Sequence, residues 1–209
     1  MAETDGRLRS PNFERNFVPI RDALRPYLSA AAGTVLEIGS GTGQHIAHLA
    51  RDFRGLTWVP SDIHATHHAS IVAWGVAVGC ANLAAPLFVD AATDWPDDPP
   101  VRALGDLTAV LSCNVIHIAP WSVARGIVGG AVRVLAPGGV LILYGPFREG
   151  GEHTGEGNAS FDARLQAENP DWGVRDLDDV TGLAKAAGFG PAQVTRMPSN
   201  NLMVAFVRV

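Results

Sequence analysis

Three glycines and one carboxylic acid occur in residues 35–43, VLEIGSGTG, in a pattern suited to holding a ligand by its main-chain atoms. Gly39 and Gly41 let the backbone turn sharply and approach a ligand with no Cβ in the way. Gly43 permits close packing where the next helix begins. With Glu37 at the end of the preceding apolar run, the segment predicts a strand, a glycine turn and a helix that together bind a cofactor.

A nicotinamide dinucleotide site is the main alternative for this loop. Its fingerprint is G-x-G-x-x-G, but counting from Gly39 puts Gln44 where the third glycine belongs. The spacing therefore disfavours a dinucleotide, and a purely structural glycine turn is the remaining alternative.

A second carboxylate follows the next apolar run, where Asp62 ends LTWVPSD, 23 residues after Gly39. At that distance along an α/β chain a carboxylate can accept hydrogen bonds from both ribose hydroxyls of a bound nucleoside. Bonds to a charged group contribute about 1.5–3 kcal/mol. The alternative role for Asp62 is an N-cap of the following helix, which is compatible with ribose binding.

Polar groups also follow the later apolar runs. In open α/β sheets ligands bind beyond the carboxyl ends of the strands, so Asn114 and His117 are candidates for the reactive face. His117 is the preferred general base because an imidazole titrates near neutrality; the alternative is a structural His bonded to the backbone. Tyr144 either lines a substrate pocket or caps the core with its hydroxyl in water.

The elements that must position these residues follow from the hydrophobic pattern. Short apolar runs alternate with segments whose apolar residues recur at three and four positions, which predicts repeated βα winding. The fold class is therefore α/β and Rossmann-like: a seven-stranded, mostly parallel sheet with helices on both faces and an antiparallel C-terminal hairpin. The predicted strands are residues 34–38, 56–59, 86–89, 109–113, 140–144, 192–197 and 202–209.

The chain length of 209 residues fits one domain spanning residues 1–209. Within it we expect an N-terminal helical cap over residues 1–32 and an active-face insertion over residues 145–176. A net charge of -5 gives no basic patch for a nucleic acid. No run is long enough to span a membrane, and Cys80 and Cys113 show no disulfide or zinc spacing, so we expect a cytoplasmic protein.

Three histidines, His64, His67 and His68, form H-x-x-H-H at a predicted helix start. Such a group could bind a metal, but no carboxylate pattern accompanies it. We interpret it as a solvated helix face and expect no metal site.

Taken together, the strand, Glu37 and the spacing of Gly39, Gly41 and Gly43 resemble motif I of the class I S-adenosyl-L-methionine-dependent methyltransferases. The resemblance implies S-adenosyl-L-methionine as cofactor and a class I methyltransferase fold. It also implies that Asp90, after the third predicted strand, receives the adenine amino group; otherwise Asp90 is a solvated strand-end residue. The implied cofactor-binding residues are Arg15, Glu37, Gly39, Ser40, Gly41, Gly43, Asp62, Ile63, Asp90, Ala91 and Asn114, with His117 and Tyr144 as the catalytic residues.

More segments resemble the methyltransferase-like protein 26 family, and they cover nearly the whole chain. In that family Arg15 and Asn16 would lie over the cofactor, with Arg15 on the methionine carboxylate, to which a guanidinium makes bidentate bonds; otherwise Arg15 is a surface helix residue. Phe17 departs from the family pattern, which commonly has a basic residue there. The resembling segments are residues 14–16, 19–20, 37–45, 58–62, 114–120, 144–147, 158, 161–162, 169–176, 197–198 and 200–201.

These resemblances imply methyl transfer by in-line displacement to an oxygen, nitrogen or sulfur of a small molecule. Two alternatives remain: a non-catalytic protein that binds S-adenosyl-L-methionine, and a nicotinamide-dependent oxidoreductase. The sequence fixes neither the acceptor nor the oligomeric state.

Overall fold

The computed structural model describes residues 5–209, so residues 1–4 of the predicted N-terminal cap lie outside the described residues. The α-helices are α1 Phe13–Leu28, α2 Gln44–Asp52, α3 Ala65–Val78, α4 Pro99–Arg102, α5 Trp121–Val134, α6 Glu156–Glu168 and α7 Leu177–Ala187. The strands are β1 Gly33–Ile38, β2 Leu56–Ser61, β3 Leu107–Cys113, β4 Leu135–Pro146, β5 Arg148–Glu149, β6 Glu152–His153, β7 Gln193–Met197 and β8 Asn201–Val207.

One six-stranded sheet, in the order β2-β1-β3-β4-β8-β7, organises the fold. Strands β1 to β4 run parallel, whereas β8 pairs antiparallel with β4 and with β7. The α/β class and the antiparallel C-terminal hairpin are therefore confirmed. The hairpin turns through Ser199 and Asn200, which both have positive φ, as short polar turn residues tolerate.

The third predicted strand, residues 86–89, does not form. That segment makes only one parallel bridge there, between Leu87 and Ser61 at the outer edge of β2. Pro86 has no N–H to donate, which interrupts the ladder that would extend this pairing. The sheet consequently has six strands, with this segment lying alongside its edge.

Helices cover both faces of the sheet because side chains on a strand alternate between faces. On β1, Leu36 and Ile38 pack into the apolar cluster that holds α5 and α7. Val35 points the other way, into the cluster formed with α1 and α2. Each helix therefore buries one apolar side against the face of the sheet that it covers. Within residues 5–209, no helix combines the length and apolarity needed to cross a membrane.

Candidate active site

A cavity of about 420 Å³ opens at the carboxyl ends of β1 to β4, the edge where ligands bind in open α/β sheets. Its wall combines the glycine loop, the segments after β2 and β3, and the start of α1. Most of the predicted cofactor-binding residues line it: Glu37, Gly39, Ser40, Gly41, Asp62, Ile63, Asp90, Ala91 and Asn114, together with Tyr144.

The glycine loop has the backbone that its sequence predicts. Gly39, Gly41 and Gly43 have φ of +75°, +54° and +80°, in the region that disfavours other residues. A Cβ on Gly43 would lie 2.5 Å from the Cα of Ile71. Gly43 therefore lies outside the cavity wall and lets α2 pack closely on α3. A Cβ on Gly41 would meet nothing within 4 Å, so this glycine leaves open space at the cavity.

Asp62 ties this loop to the end of β2. Its Oδ2 accepts a 2.9 Å hydrogen bond from the N–H of Gly41, and its Oδ1 accepts one of 2.9 Å from the N–H of His64. The alternative N-cap role is met in part, because the bond from His64 precedes the first residue of α3. The carboxylate is buried yet lines the cavity.

The three histidines lie at a helix start that faces solvent, where His64 is exposed and His67 and His68 are half-buried, but two of them also contact Asp62. His67 Nδ1 lies 2.9 Å from Asp62 Oδ1, and His68 Nε2 lies 2.8 Å from the Asp62 carbonyl oxygen. His64 and His67 also line the cavity. The turn after β2 brings this helix start onto Asp62, a contact that the sequence pattern did not indicate. Among residues 5–209, no group of His, Cys, Asp or Glu has a metal-binding arrangement.

Glu37 is an unusual carboxylic acid in this wall, because it is 2% exposed. Burial raises its pKa to about 7, the nearby charge of Asp62 adds to the rise, and Ser40 opposes it by hydrogen bonding. Its Oε2 has no hydrogen-bond partner among the described residues. A cationic ligand group would satisfy that oxygen and favour the ionised form.

The segments after residue 89 and after β3 supply the rest of the wall. Asp90 Oδ1 accepts a 2.9 Å bond from the N–H of Ala92, which orders the turn that also carries Ala91. Asn114 adopts a left-handed conformation with φ of +63°, and its N–H donates a 2.7 Å bond to the Tyr144 carbonyl. Strained non-glycine residues of this kind concentrate at functional sites.

The structure does not place His117 in the cavity, which corrects its predicted role as general base. The side chain is fully buried, and its Nδ1 accepts a bond from the Arg175 N–H at 3.3 Å. Its ring packs edge-on against Phe147, 5.1 Å between centroids. Burial, and then the charge of Arg175, lower its pKa to about 3. The alternative interpretation of His117, a structural histidine bonded to the backbone, is the one that fits.

Arg15 also lies outside the cavity wall. It is an exposed residue of α1, and its Nε donates a 3.0 Å hydrogen bond to Oδ1 of Asn16. The neighbouring Asn16 is 7% exposed and lines the cavity instead. Consecutive residues of an α-helix point about 100° apart, so only one of Arg15 and Asn16 faces the cavity.

Other residues implied by the family resemblance support the loop around residues 145–176 and do not line the cavity. Asp162 accepts a 2.7 Å bond from the Val174 N–H. The guanidinium of Arg175 donates to the carbonyls of Ile116, Ala119 and Asp171. These bonds fasten the insertion to the segment after β3.

Two of the wall residues to which the sequence assigned no role are His45 and Cys113. His45, at the start of α2, has its ring 5.0 Å from that of Phe13, and burial lowers its pKa to about 4. Cys113, the last residue of β3, pairs with Tyr144 across the sheet, and burial raises the pKa of its thiol well above the usual value. The signal in the sequence that could have indicated them is their position at a predicted helix start and a predicted strand end, on the ligand-binding edge of the sheet.

Comparison with known proteins agrees with this architecture. A family model described as "Protein of unknown function (DUF938)" matches residues 7–208. The chain is similar to an O-methyltransferase family protein from Burkholderia thailandensis, with a TM-score of 0.78 and 17% identity over 91% of this chain and 55% of that one. It is also similar to a putative O-methyltransferase from Nostoc punctiforme, with a TM-score of 0.78 and 16% identity over 92% of this chain and 56% of that one.

A third similar structure is an O-methyltransferase from neocarzinostatin biosynthesis, with a TM-score of 0.73 and 18% identity over 95% of this chain and 55% of that one. That protein was solved with S-adenosyl-L-homocysteine and 1,4-dihydroxy-2-naphthoic acid. The chain spans a little over half the length of each of these structures. At these identities the likeness shows the Rossmann-like methyltransferase fold.

Proposed function

The chain belongs to the DUF938 family, and we propose that it is an S-adenosyl-L-methionine-dependent methyltransferase that acts on a small molecule. The observation that carries the proposal is the charge of the cavity beside the glycine loop. Glu37, Asp62 and Asp90 line it, and none of the described residues in its wall is a Lys or Arg. Such a wall favours a cationic ligand.

S-adenosyl-L-methionine fits that charge because it carries a sulfonium and an ammonium group. A dinucleotide does not, since its pyrophosphate would enter a cavity lined by carboxylates. Two unit charges 4 Å apart interact by roughly 4 kcal/mol at an effective dielectric constant of 20. Repulsion of that size weighs against the nicotinamide-dependent oxidoreductase.

The individual residues also suit this cofactor. The unpartnered Oε2 of Glu37 offers an acceptor to a cationic group, the open space at Gly41 admits a ligand against the main chain, and Asp62 has lone pairs left for ribose hydroxyls. We assign the adenine end to Asp90 and its neighbours. The proposed cofactor-binding residues are Glu37, Gly39, Ser40, Gly41, Asp62, Ile63, Asp90, Ala91 and Asn114, with Gly43 shaping the loop.

When bound, S-adenosyl-L-methionine supplies an electrophilic methyl group on its sulfonium. The chain's contribution is to hold the acceptor in line with that methyl, which can account for about 7–11 kcal/mol of the barrier. A general base contributes less, typically about 10²–10⁴-fold in rate. We therefore propose a site that works mainly by positioning, with Tyr144 as the catalytic residue facing the ligand and His117 as a structural residue.

The finer assignments are also part of this proposal. The acceptor is an oxygen, nitrogen or sulfur of a small molecule, and the relationship to the methyltransferase-like protein 26 family rests on the segments described above. The acidic chain, with a net charge of -5, supports neither DNA nor RNA as acceptor. Cys80 and Cys113 are both free thiols, which supports a reducing, cytoplasmic location.

A panel of phenol, carboxylate, amine and thiol acceptors, each mixed with S-adenosyl-L-methionine, tests the proposal by release of S-adenosylhomocysteine. We expect turnover of at least one acceptor class, and loss of turnover in Asp62→Ala. Tight binding of the cofactor with no turnover of any class would instead favour the non-catalytic binding protein. A folded chain that binds no S-adenosyl-L-methionine would refute the proposal.

A further inference from the structure

The segment that precedes α1 forms a thin part of the cavity wall. Ser10, Pro11 and Asn12 line the cavity, yet no side chain of residues 5–12 is buried, and the first buried residue of the described chain is Phe13. We name residues 7–12 the N-terminal strap. Because it buries no side chain of its own, apolar packing does not hold it in place.

Two buried side chains of α3 hold the strap by its main chain at Leu8. The Leu8 N–H donates a 2.8 Å hydrogen bond to Ser70 Oγ, and the Leu8 carbonyl accepts one of 2.7 Å from Trp74 Nε1. Ser70 and Trp74 are one helical turn apart, so they share a face of α3. The guanidinium of Arg7 lies 4.7 Å from the centre of the Trp74 ring, which adds a cation–π contact.

The hydroxyl of Ser70 also joins the strap to the glycine loop. It has a single proton, which it donates to the Thr42 carbonyl at 2.6 Å while its oxygen accepts from Leu8. Thr42 belongs to the glycine loop and lines the cavity, and Ser70 is fully buried. One hydroxyl therefore connects three segments: the strap, α3 and the loop.

A second hydrogen bond links the strap to the end of the same loop. The Ser10 N–H donates to Gln44 Oε1 at 3.0 Å. Gln44 is the first residue of α2, directly after Gly43, and is buried. The position of the strap thus depends on the position of the glycine loop at two points.

We infer that the N-terminal strap is a gate on exchange of the cofactor, and that Ser70 is the positioning residue that couples this gate to the glycine loop. Segments with few buried contacts open locally at low free energy, so the strap is the part of the wall that yields. A ligand that fixes Thr42 also fixes Ser70 and, through it, Leu8. The inference rests on the proposed function, because the ligand is S-adenosyl-L-methionine.

Two variants separate the gate from its coupling. Ser70→Ala removes both hydrogen bonds of the hydroxyl. Trp74→Phe removes only the bond to Leu8 and keeps an aromatic ring for Arg7. Val76→Ala, a change on the same helix at a residue that is 79% exposed, is the control. Thermal unfolding checks that each variant is folded.

Limited trypsin digestion measures opening of the strap, because cleavage after the exposed Arg9 requires the strap to leave α3. The rate follows the population of the open form when opening is fast relative to cleavage. Without ligand, we expect Ser70→Ala and Trp74→Phe to be cut after Arg9 roughly three- to tenfold faster than wild type and Val76→Ala. Equal cleavage rates in these chains would overturn the inference.

Digestion with S-adenosyl-L-methionine at about 100 times the Kd of each chain measures the coupling. We expect cleavage after Arg9 to slow at least roughly tenfold in wild type, Val76→Ala and Trp74→Phe. In Ser70→Ala it should slow less than about threefold, because the bond to Thr42 is missing. No slowing in wild type, or equal slowing in Ser70→Ala, would overturn the inference.

Exchange rates of labelled S-adenosyl-L-methionine distinguish a gate from a merely structural strap. A gate opens for both entry and exit, so Trp74→Phe should speed association and dissociation alike, by roughly three- to tenfold, with Kd within about threefold of wild type. Faster dissociation with unchanged association would contradict the gate. A folded wild-type chain that binds no S-adenosyl-L-methionine refutes the proposed function, whereas binding without protection of the strap refutes only the gate.

Discussion

The main-chain N–H of Gly41 donates a 2.9 Å hydrogen bond to Oδ2 of Asp62. This bond joins the glycine loop after β1 to the turn after β2, so two ends of neighbouring parallel strands are held at one spacing. The other carboxylate oxygen accepts from the His64 N–H at 2.9 Å. One buried carboxylate therefore shapes the loop and also presents lone pairs to the cavity.

Asp62→Asn should weaken both roles of the carboxylate, and two different measurements report them. The amide can accept a hydrogen bond through one atom only, so the loop loses a partner and the free energy of unfolding falls by about 1–3 kcal/mol. Affinity for S-adenosyl-L-methionine should fall roughly ten- to hundredfold. Denaturant unfolding and calorimetry measure the two effects, with the exposed Asp106→Asn as control. Unchanged affinity in Asp62→Asn would exclude this carboxylate as a cofactor ligand.

Alanine at two loop glycines should destabilise the chain to different extents. In Gly43→Ala the new Cβ would lie 2.5 Å from the Cα of Ile71, so α2 must shift and the free energy of unfolding should fall by several kcal/mol, roughly 3. In Gly41→Ala the Cβ meets open space, and only the positive φ costs about 1–2 kcal/mol. Gly41→Ala should therefore fold but bind S-adenosyl-L-methionine weakly, because its methyl group occupies the cavity. The reverse ranking of the two unfolding free energies would contradict the assigned packing.

Much of this loop was predictable from the sequence because its determinants are local. A strand, an acid and three glycines at fixed spacing specify backbone conformations that no other residues adopt easily, and Gly39, Gly41 and Gly43 do have positive φ. The predicted strands over residues 34–38 and 109–113 also match β1 and β3 to within two residues at each end, since short apolar runs mark them.

The direction of single side chains was not predictable, because it depends on tertiary packing. His117 follows β3 as predicted, but a short 3-10 helix over Val115–His117 turns its ring into the core. The resemblance placed both Arg15 and Asn16 over the cofactor, whereas the helix phase turns only Asn16 into the cavity wall. The bond from Asn201 to Tyr144 joins residues on β8 and β4, and only the antiparallel register of those strands brings them together. The strand predicted over residues 86–89 is absent where two prolines, Pro60 on β2 and Pro86 opposite it, have no N–H to donate.

His117 should govern acid stability and leave cofactor binding unaffected. Its folded pKa of about 3 lies below the ordinary value of 6.5, so between these values the unfolded chain binds a proton that the folded chain does not. Stability therefore rises with pH across this window and is lost as the pH falls through it. His117→Asn should flatten the slope of the unfolding free energy by about one proton between pH 4 and 6, with S-adenosyl-L-methionine affinity within about threefold of wild type. A large loss of affinity would restore His117 to the site.

Glu37 should make the free energy of unfolding change with pH in the opposite direction. Its folded pKa of about 7 lies above the ordinary 4.5, so the folded chain binds the extra proton and stability is lost as the pH rises from 4.5 through 7. Glu37→Gln removes that loss and should be more stable than wild type at pH 8 by roughly 3 kcal/mol. Denaturant unfolding at pH 5 and pH 8 measures this difference. An equal stability of the two chains at pH 8 would contradict the buried, raised carboxyl.

The same carboxyl should link cofactor binding to pH. Because a cation favours ionised Glu37, binding of S-adenosyl-L-methionine should release a proton near pH 6 and tighten as the pH rises to 8. Glu37→Gln should lose both the proton release and most of this pH dependence. Calorimetry in two buffers of different ionisation enthalpy detects the released proton, and a proton uptake by the wild-type chain would contradict the assignment.

The most direct test of the central claim, that a carboxylate-lined cavity beside a glycine loop holds a cationic nucleoside, is a calorimetric titration of the folded chain at pH 7.5 with S-adenosyl-L-methionine and, separately, with NAD⁺. We predict saturable one-to-one binding of S-adenosyl-L-methionine and no detectable binding of NAD⁺. Binding of NAD⁺ in preference, or no uptake of S-adenosyl-L-methionine by a chain shown to be folded, would contradict the account.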